Sequence, residues 1–403
     1  MAAKRTRHNG EGSIYPYRNG SWAAFVWVEK PDGTRDRKYV YGKDRETVHA
    51  KWIKLQERAK EGPVSTKAMT VGKFVAYWLD EIVRPNLAPG TYVTYEGACR
   101  NYIVPGLGSK RLDRLRSTDV QTWLNTVRRT CQCCAQGKDK QRKAGKQRCC
   151  AIGKCCKALP SAASVVGLRR ILRTILTCAI DADLITQNVA KRAKLPTVRK
   201  PRRTSWTTAE ARQFLEYASV EDERFYAAYV LLLVLGLRKG EILGLQWEQI
   251  DLNAAELTPN FQVQRVGKQV LRREVKTETS EQPLPLPDIC LAALHRHRTT
   301  LDADGRPTGE DDYLFSTITG MPIEPRNFNR FWDRTGTGAG VRRITVRSAR
   351  RTCATLLRGL NVHPNIAQRI LRHAQVAITL EIYTDATDEA TRDALRRLGE
   401  TLA

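Results

Sequence analysis

The sequence predicts an α+β protein in three parts: a small N-terminal three-stranded sheet with one helix, an all-helical part, and a mainly helical C-terminal part holding a small antiparallel sheet. Three observations predict it. Alternating runs crowd the start of the chain, a 3.6-residue apolar period takes over near Thr70, and the final half mixes the two patterns.

In the first part, "SIYPYR" and "SWAAFVWVE" flank Asn19-Gly20, a pair that reaches positive φ easily and so signals a two-residue hairpin turn. Pro31-Asp32-Gly33 supplies a second turn into "TRDRKYVYG". "DRETVHAKWIKLQERAKEG" then has helical period and stops at Gly62, which sets residues 1–65 apart as a domain. A helical domain follows over 66–189. "TVGKFVAYWLDEIV", "APGTYVTYEGACRNYIV" and "RSTDVQTWLNTVRR" each open near a Thr, Ser or Pro able to start a helix. "SAASVVGLRRILRTILTCAIDADLI" is a longer amphipathic helix, and a cysteine-rich insertion, 131–157, interrupts the domain before it. Residues 190–205 are basic, carry proline and lack any period, so they read as a linker. The charge of Arg199, Arg202 and Arg203 suits that linker to a path along phosphates. The last domain, 206–403, opens with helical "TTAEARQFLEYA" and "FYAAYVLLLVLGL". "ELTPNFQVQRVGKQVLRREVK" alternates about a turn at Gly267-Lys268, and "QPLPLP" can add only an edge strand because proline cannot donate. Helices resume from about Pro325.

With 68 basic residues against 42 acidic ones, the chain carries a formal net charge of +26. That excess points to a polyanionic partner, nucleic acid ahead of a membrane surface. The longest apolar run, "YAAYVLLLVLGL", falls short of the roughly 20 residues that span a bilayer. The basic N-terminus has no apolar stretch behind it, so it is no secretory signal. The expectation is a cytoplasmic, nucleoid-associated protein without a membrane partner, its cysteines reduced.

Chemistry concentrates in four pieces of the last domain. "GLRKGEILGLQWEQIDL" places Arg238 just after a buried helix breaks, and "VKTETSEQ" puts Lys276 where the second strand turns over. "RSARRT" sets Arg347 and Arg350 one helical turn apart, and "LRHAQVAITLEIYTD" holds His373 and, ten positions on, Tyr383. Alone, each reads as a solvated arginine, a structural histidine or a core tyrosine. In this order they resemble the tyrosine recombinases, or phage-type integrases, from about residue 13 to the end. The likeness is most specific over 206–403, and closest to members with an N-terminal domain for arm-type sites.

The resemblance implies a site-specific recombinase that cuts and rejoins DNA through a covalent 3′-phosphotyrosine, integrating and excising a phage or mobile element. Tyr383 is then the nucleophile, Lys276 the general acid on a hairpin, Arg238 and Arg350 the phosphate-binding pair, and His373 a donor to the phosphate or an aid to the attacking phenol. The residue types suit the reaction. Two guanidinium forks can bind the non-bridging oxygens of a phosphorane-like state bidentately, as a metal ion otherwise would. Arg347 stands where the family has His; it can donate to phosphate but cannot shuttle a proton at neutral pH. Glu241, three residues after Arg238, is expected to orient an arginine through a salt bridge. The implied partners are core and arm-type attachment sites on double-stranded DNA, three further copies in a homotetramer on synapsed sites, an excisionase and a host DNA-bending protein. Catalysis implies no cofactor.

Two other readings compete. A metal-dependent nuclease or transposase would draw on Glu310, Asp311 and Asp312, although their place beside Gly309 reads as a solvated turn. A non-catalytic DNA-binding regulator leaves the complete Arg–Lys–Arg–His–Tyr order unexplained.

The insertion gathers Cys131, Cys133, Cys134, Cys149, Cys150, Cys155 and Cys156. In a reducing compartment that clustering favours a structural zinc over disulfides, with a redox-sensitive or flexible loop and an iron–sulfur cluster as alternatives. The spacing is not a standard C-x2-C pair, and the doublets cannot all hold one ion without strain. A closed loop presents Lys138, Lys140, Arg142, Lys143 and Lys146 to a DNA backbone.

Overall fold

A computed structural model of the chain describes residues 14–29, 34–61, 69–197, 204–275, 283–373 and 375–383, with Arg396 and Glu400. The Pro31-Asp32-Gly33 turn, Arg199, Arg202, Arg203 and Lys276 lie outside the described residues. The chain divides into two compact units, Met1–Val198 and Arg199–Ala403.

The first unit opens with an antiparallel sheet of β1 (Ile14–Pro16), β2 (Trp22–Glu29) and β3 (Arg35–Gly42), in that order, followed by α1 (Arg45–Glu61). Pairing closes at Pro16 opposite Trp22, so the connection is a five-residue loop and not the expected two-residue turn. Asn19 and Gly20 do take positive φ, but inside a 3-10 turn whose Arg18 carbonyl accepts from both the backbone N–H and the hydroxyl of Ser21. Alternation along β2 sends Val26 and Val28 onto Leu55 of α1 and leaves Phe25 and Trp27 on the other face.

The rest of this unit is helical. It comprises α2 (Val71–Tyr77), a π-helical stretch (Trp78–Val83), α3 (Arg84–Asn86), α4 (Pro89–Ala98), a second π stretch (Cys99–Ile103) and α5 (Val104–Leu107). Then come α6 (Ser117–Arg129), α7 (Gln132–Ala135) and α8 (Ala162–Asp181). Each π stretch lies just before a proline, Pro85 or Pro105, whose missing N–H and bulky ring displace the ladder one turn back. Thr70 and Ser161 cap α2 and α8 by accepting from Lys73 N and Ser164 N. Phe74, Trp78, Ile103, Leu124 and Leu172 fill the core.

In the second unit, α9 (Thr208–Glu221) and α10 (Glu223–Val234) precede the one-turn α11 (Lys239–Ile242). Strands β4 (Ile250–Asp251), β5 (Glu256–Leu257), β6 (Phe261–Val266), β7 (Gln269–Glu274) and β8 (Leu284–Pro285) follow. β6 and β7 form a hairpin through Gly267, and β8 takes the edge of the β4-β5-β8 sheet. The unit ends in α12 (Asp288–Ala303), α13 (Pro325–Gly338), α14 (Val346–Gly359), α15 (Pro364–Leu371) and α16 (Val376–Tyr383).

Helices therefore resume at Asp288, well before Pro325. The buried face of α12 is Cys290, Ala293, Leu294, His297 and Leu301, a helical spacing masked in sequence by the polar residues between them. α10 is the central helix, and Trp206 and Trp332 stack at 5.1 Å between ring centroids beside it. Among the described residues, no helix is long and apolar enough to cross a membrane.

Candidate active site

α10 ends where Gly236 enters the left-handed region, φ +60°. A Cβ there would stand 2.7 Å from a Leu371 methyl and 3.2 Å from Cys353 Sγ, so glycine alone fits the break. Arg238 follows as the cap of α11. Its backbone N–H donates to Glu241 Oε2 at 2.8 Å and its Nη1 to Oε1 at 2.6 Å. Glu241 is 2 % exposed and also pairs with the fully buried Arg372, whose Nη2 donates to Oε2 at 2.5 Å. Burial pushes the Glu241 carboxyl up, but Arg372 and Arg238 together outweigh it and hold it below the usual range. Glu241 is thus a buried anion that fixes two guanidiniums.

Thr345 caps α14 by accepting from Ser348 N, which places Arg347 and Arg350 on one face at i and i+3. Arg350 donates to the Gly236 carbonyl at 2.8 Å, to the Leu371 carbonyl, and through Nε to His373 Nε2 at 3.3 Å. Burial first, then the Arg238 charge beside it, lower Arg350 to about 9, so it remains a cation at neutral pH.

His373 is 8 % exposed, and its Nδ1 lies 2.8 Å from Thr379 Oγ1. Burial, then Arg350 and Arg238, pull its pKa down to about 4. Because a guanidinium only donates, Nε2 must accept. The ring is therefore neutral, with its proton on Nδ1 donated to Thr379, so in this arrangement it has no proton to offer a phosphate, unlike the donor role expected from the sequence. Thr379 belongs to α16, which ends at Tyr383; the backbone of Tyr383 is placed, and its side chain lies outside what the structure describes.

Arg238, Arg347, Arg350 and His373 line one cavity of about 1060 Å³, joined by Lys239 and Asn329. Its lining carboxylate, Asp333, is occupied by Arg343 at 2.7 Å. The result is a dense positive pocket suited to a phosphodiester. Glu310, Asp311 and Asp312 are not in it: Asp312 closes a turn by accepting from Gly309 N at 2.8 Å, and Glu310 and Asp311 are exposed.

Sequence reasoning did not single out Arg372, Thr379 or Lys239. Arg372 sits in the left-handed region at φ +50°, and its total burial comes from tertiary packing that no local pattern announces.

Two further surfaces belong to the first unit. On the open face of the N-terminal sheet, the Arg37 guanidinium lies 4.6 Å from the Trp27 ring and 4.9 Å from Phe25, beside exposed Tyr39 and Tyr41. In the insertion, Lys138, Lys140, Lys143 and Lys146 are exposed, and Arg142 pairs with buried Asp139 at 3.0 Å. The seven cysteines come together in two groups of four: Cys131, Cys134, Cys150 and Cys155, and Cys133, Cys149, Cys150 and Cys156. Cys131 and Cys134 thus form a C-x2-C pair, hidden in sequence by the intervening Cys133.

Residues 205–390 match the phage integrase family, and residues 70–127 match the N-terminal SAM-like domain of phage integrases. A tyrosine recombinase XerC-like protein of Caldanaerobacter subterraneus subsp. tengcongensis is 26% identical over 425 residues, covering 99% of both chains. An integrase of Saccharopolyspora erythraea is 24% identical over 461 residues, covering 99% of this chain and 98% of its own. Among solved structures, the Tn1549 transposon integrase in complex with a circular intermediate DNA superposes with a TM-score of 0.63 at 20% identity, over 82% of this chain and 100% of that one. A lambda integrase dimer bound to a COC′ core site gives 0.51 at 16% identity, over 94% and 96%.

Proposed function

The chain belongs to the phage integrase family, the tyrosine recombinases, and from that premise we propose how its residues divide the work. The protein is a site-specific DNA recombinase that cuts and rejoins DNA through a covalent 3′-phosphotyrosine for a phage or mobile element. Tyr383 attacks the scissile phosphate, forming a bond to phosphorus as the 5′-oxygen leaves. Arg238 and Arg350 hold the non-bridging oxygens, with Glu241 and the Arg372–Glu241 pair keeping Arg238 in place. Arg347 adds a donor from the same helix face.

Neutral His373 ties Arg350 to the helix carrying the nucleophile, and Lys276 protonates the leaving oxygen. The N-terminal sheet, with its aromatic and arginine face, takes the arm-type site, and two core sites bring four subunits together. The observation that carries this reading is the convergence of Arg238, Arg347, Arg350 and His373 on one cavity.

The test is relaxation of supercoiled plasmid bearing the element's attachment site. Relaxation that persists in EDTA, with protein left covalently on the DNA after denaturation, supports the reading. Nicking that needs added divalent metal and leaves free ends would replace it with a nuclease.

A further inference from the structure

We propose that the insertion binds two zinc ions in one thiolate cluster, with the Cys150 sulfur bridging them. The first support is a count. Two tetrahedral ions need eight ligand positions, or seven when one ligand is shared, and the insertion holds seven cysteines. The two groups of four overlap at Cys150 and nowhere else, and within each group the sulfurs all lie within 4.8 Å of one another.

The second support is distance. A zinc–sulfur bond of about 2.3 Å gives a tetrahedron whose sulfur–sulfur edges are about 3.8 Å. Cys131–Cys150 measures 3.9 Å, Cys134–Cys155 3.7 Å, Cys133–Cys149 3.7 Å and Cys150–Cys156 3.7 Å. Cys131 and Cys156, the neighbours of the bridge from opposite groups, are 3.9 Å apart. The four distances within a group are single-ion tetrahedral edges, and the Cys131–Cys156 approach brings the two tetrahedra together beside the shared sulfur. An iron–sulfur cluster places inorganic sulfide and several irons between its thiolates, and edges this short leave no room for them.

The scaffold is built to hold such a centre. Asp139, with no exposed surface, accepts from the backbone N–H of Arg148, Cys149 and Ala151 at 3.3, 2.9 and 3.1 Å, which fixes the turn that aims Cys149 and Cys150. Gln132 N donates to the Ala158 carbonyl at 2.9 Å and closes the neck of the insertion between α6 and α8. Seven thiolates outweigh two dications, so the cluster is anionic, and the surrounding basic residues stabilise it. Arg142, Lys143, Lys146 and Arg148 also line a cavity of about 380 Å³ with no acid among its lining residues. The ions therefore do in this loop what a hydrophobic core does elsewhere: they fix a basic surface of few apolar residues.

The full chain, purified under reducing conditions without added metal, should carry two zinc ions per molecule by elemental analysis; none or one overturns the proposal. After exchange for a spin-½ cadmium isotope, the NMR spectrum should show two resonances, each split by coupling to the other through the shared sulfur. Two unsplit resonances would remove the bridge. Cys150→Ala should hold fewer than two ions, whereas Cys178→Ala, outside both groups, should keep two. A Cys150→Ala protein that retains both ions would also overturn the bridge. Should that variant fail to fold, the cadmium spectrum of the unaltered chain decides alone. None of these readouts depends on recombination.

Discussion

His373 Nδ1 and Thr379 Oγ1 lie 2.8 Å apart, so one hydrogen bond ties the phosphate-binding pocket to the helix that ends at Tyr383. Removing that tie should misplace the nucleophile without touching the arginines. A neutral hydrogen bond contributes roughly 0.5–1.5 kcal/mol, which corresponds to a two- to twelve-fold fall in cleavage rate for Thr379→Val. Thr379→Ser should restore it, and DNA affinity should stay level in both. Equal rates in the Val and Ser variants would mean Thr379 only fills space.

The same imidazole sets a pH dependence of stability. Its pKa is lowered from 6.5 to about 4 in the fold, so the unfolded chain takes up this proton first as the pH falls. The contribution of this group is complete above about 6.5, is lost progressively down to about 4, and changes no further below that. His297, buried against the Leu314 carbonyl, is also lowered, by burial first, and acts in the same direction. Chemical denaturation followed between pH 7 and pH 4 should show stability falling by up to about 1.4 kcal/mol per pH unit for each such histidine. His373→Gln should flatten part of that slope; an unchanged slope would mean the ring is protonated in the fold.

Glu241→Ala should be severely destabilising. It leaves Arg372, with no exposed surface, as a buried charge without its carboxylate, a loss of about 3–5 kcal/mol. Urea denaturation measures it. A loss under 1 kcal/mol would show that water reaches Arg372 readily.

How far such relationships were legible in sequence depends on what makes them. Arg238, Arg350 and His373 stand out because their residue types are unusual beside a buried helix, and the fold brings them to one cavity. Arg372 and Thr379 stayed silent: an arginine next to a histidine says nothing of its burial, and a threonine inside "VAITLEIY" reads as helix filler. α12 is masked in sequence because its buried stripe includes His297 and the small Cys290 and Ala293 in place of large aliphatics. The grouping of the cysteines was hidden for a geometric reason. Cys131, the cap of α7, and Cys134 within it belong to one group and Cys133 to the other, which adjacency in the chain conceals.

Arg347 offers a comparison within one helix face. As a phosphate donor it should tolerate Lys in part and Ala poorly, since a charge-assisted hydrogen bond contributes about 1.5–3 kcal/mol, roughly ten- to a hundred-fold in rate. Arg350→Ala should lose on the order of a thousand-fold or more, by analogy with arginine fingers. Arg347→His should keep substantial cleavage and acquire a pH dependence near neutrality. Single-turnover cleavage of a nicked substrate gives all of these rates. Wild-type cleavage by Arg347→Ala would make it a bystander on the rim of the cavity.

The central claim is that Tyr383 becomes joined to a DNA 3′-phosphate in the pocket of Arg238, Arg347, Arg350 and His373. Its most direct test is mass spectrometry of the peptide left on a nicked suicide substrate. The account predicts a single adduct, a 3′-phosphate on Tyr383, and its complete loss in Tyr383→Phe with DNA binding nearly unchanged. An adduct on Tyr313 or on a serine, or one that survives in Tyr383→Phe, would contradict it.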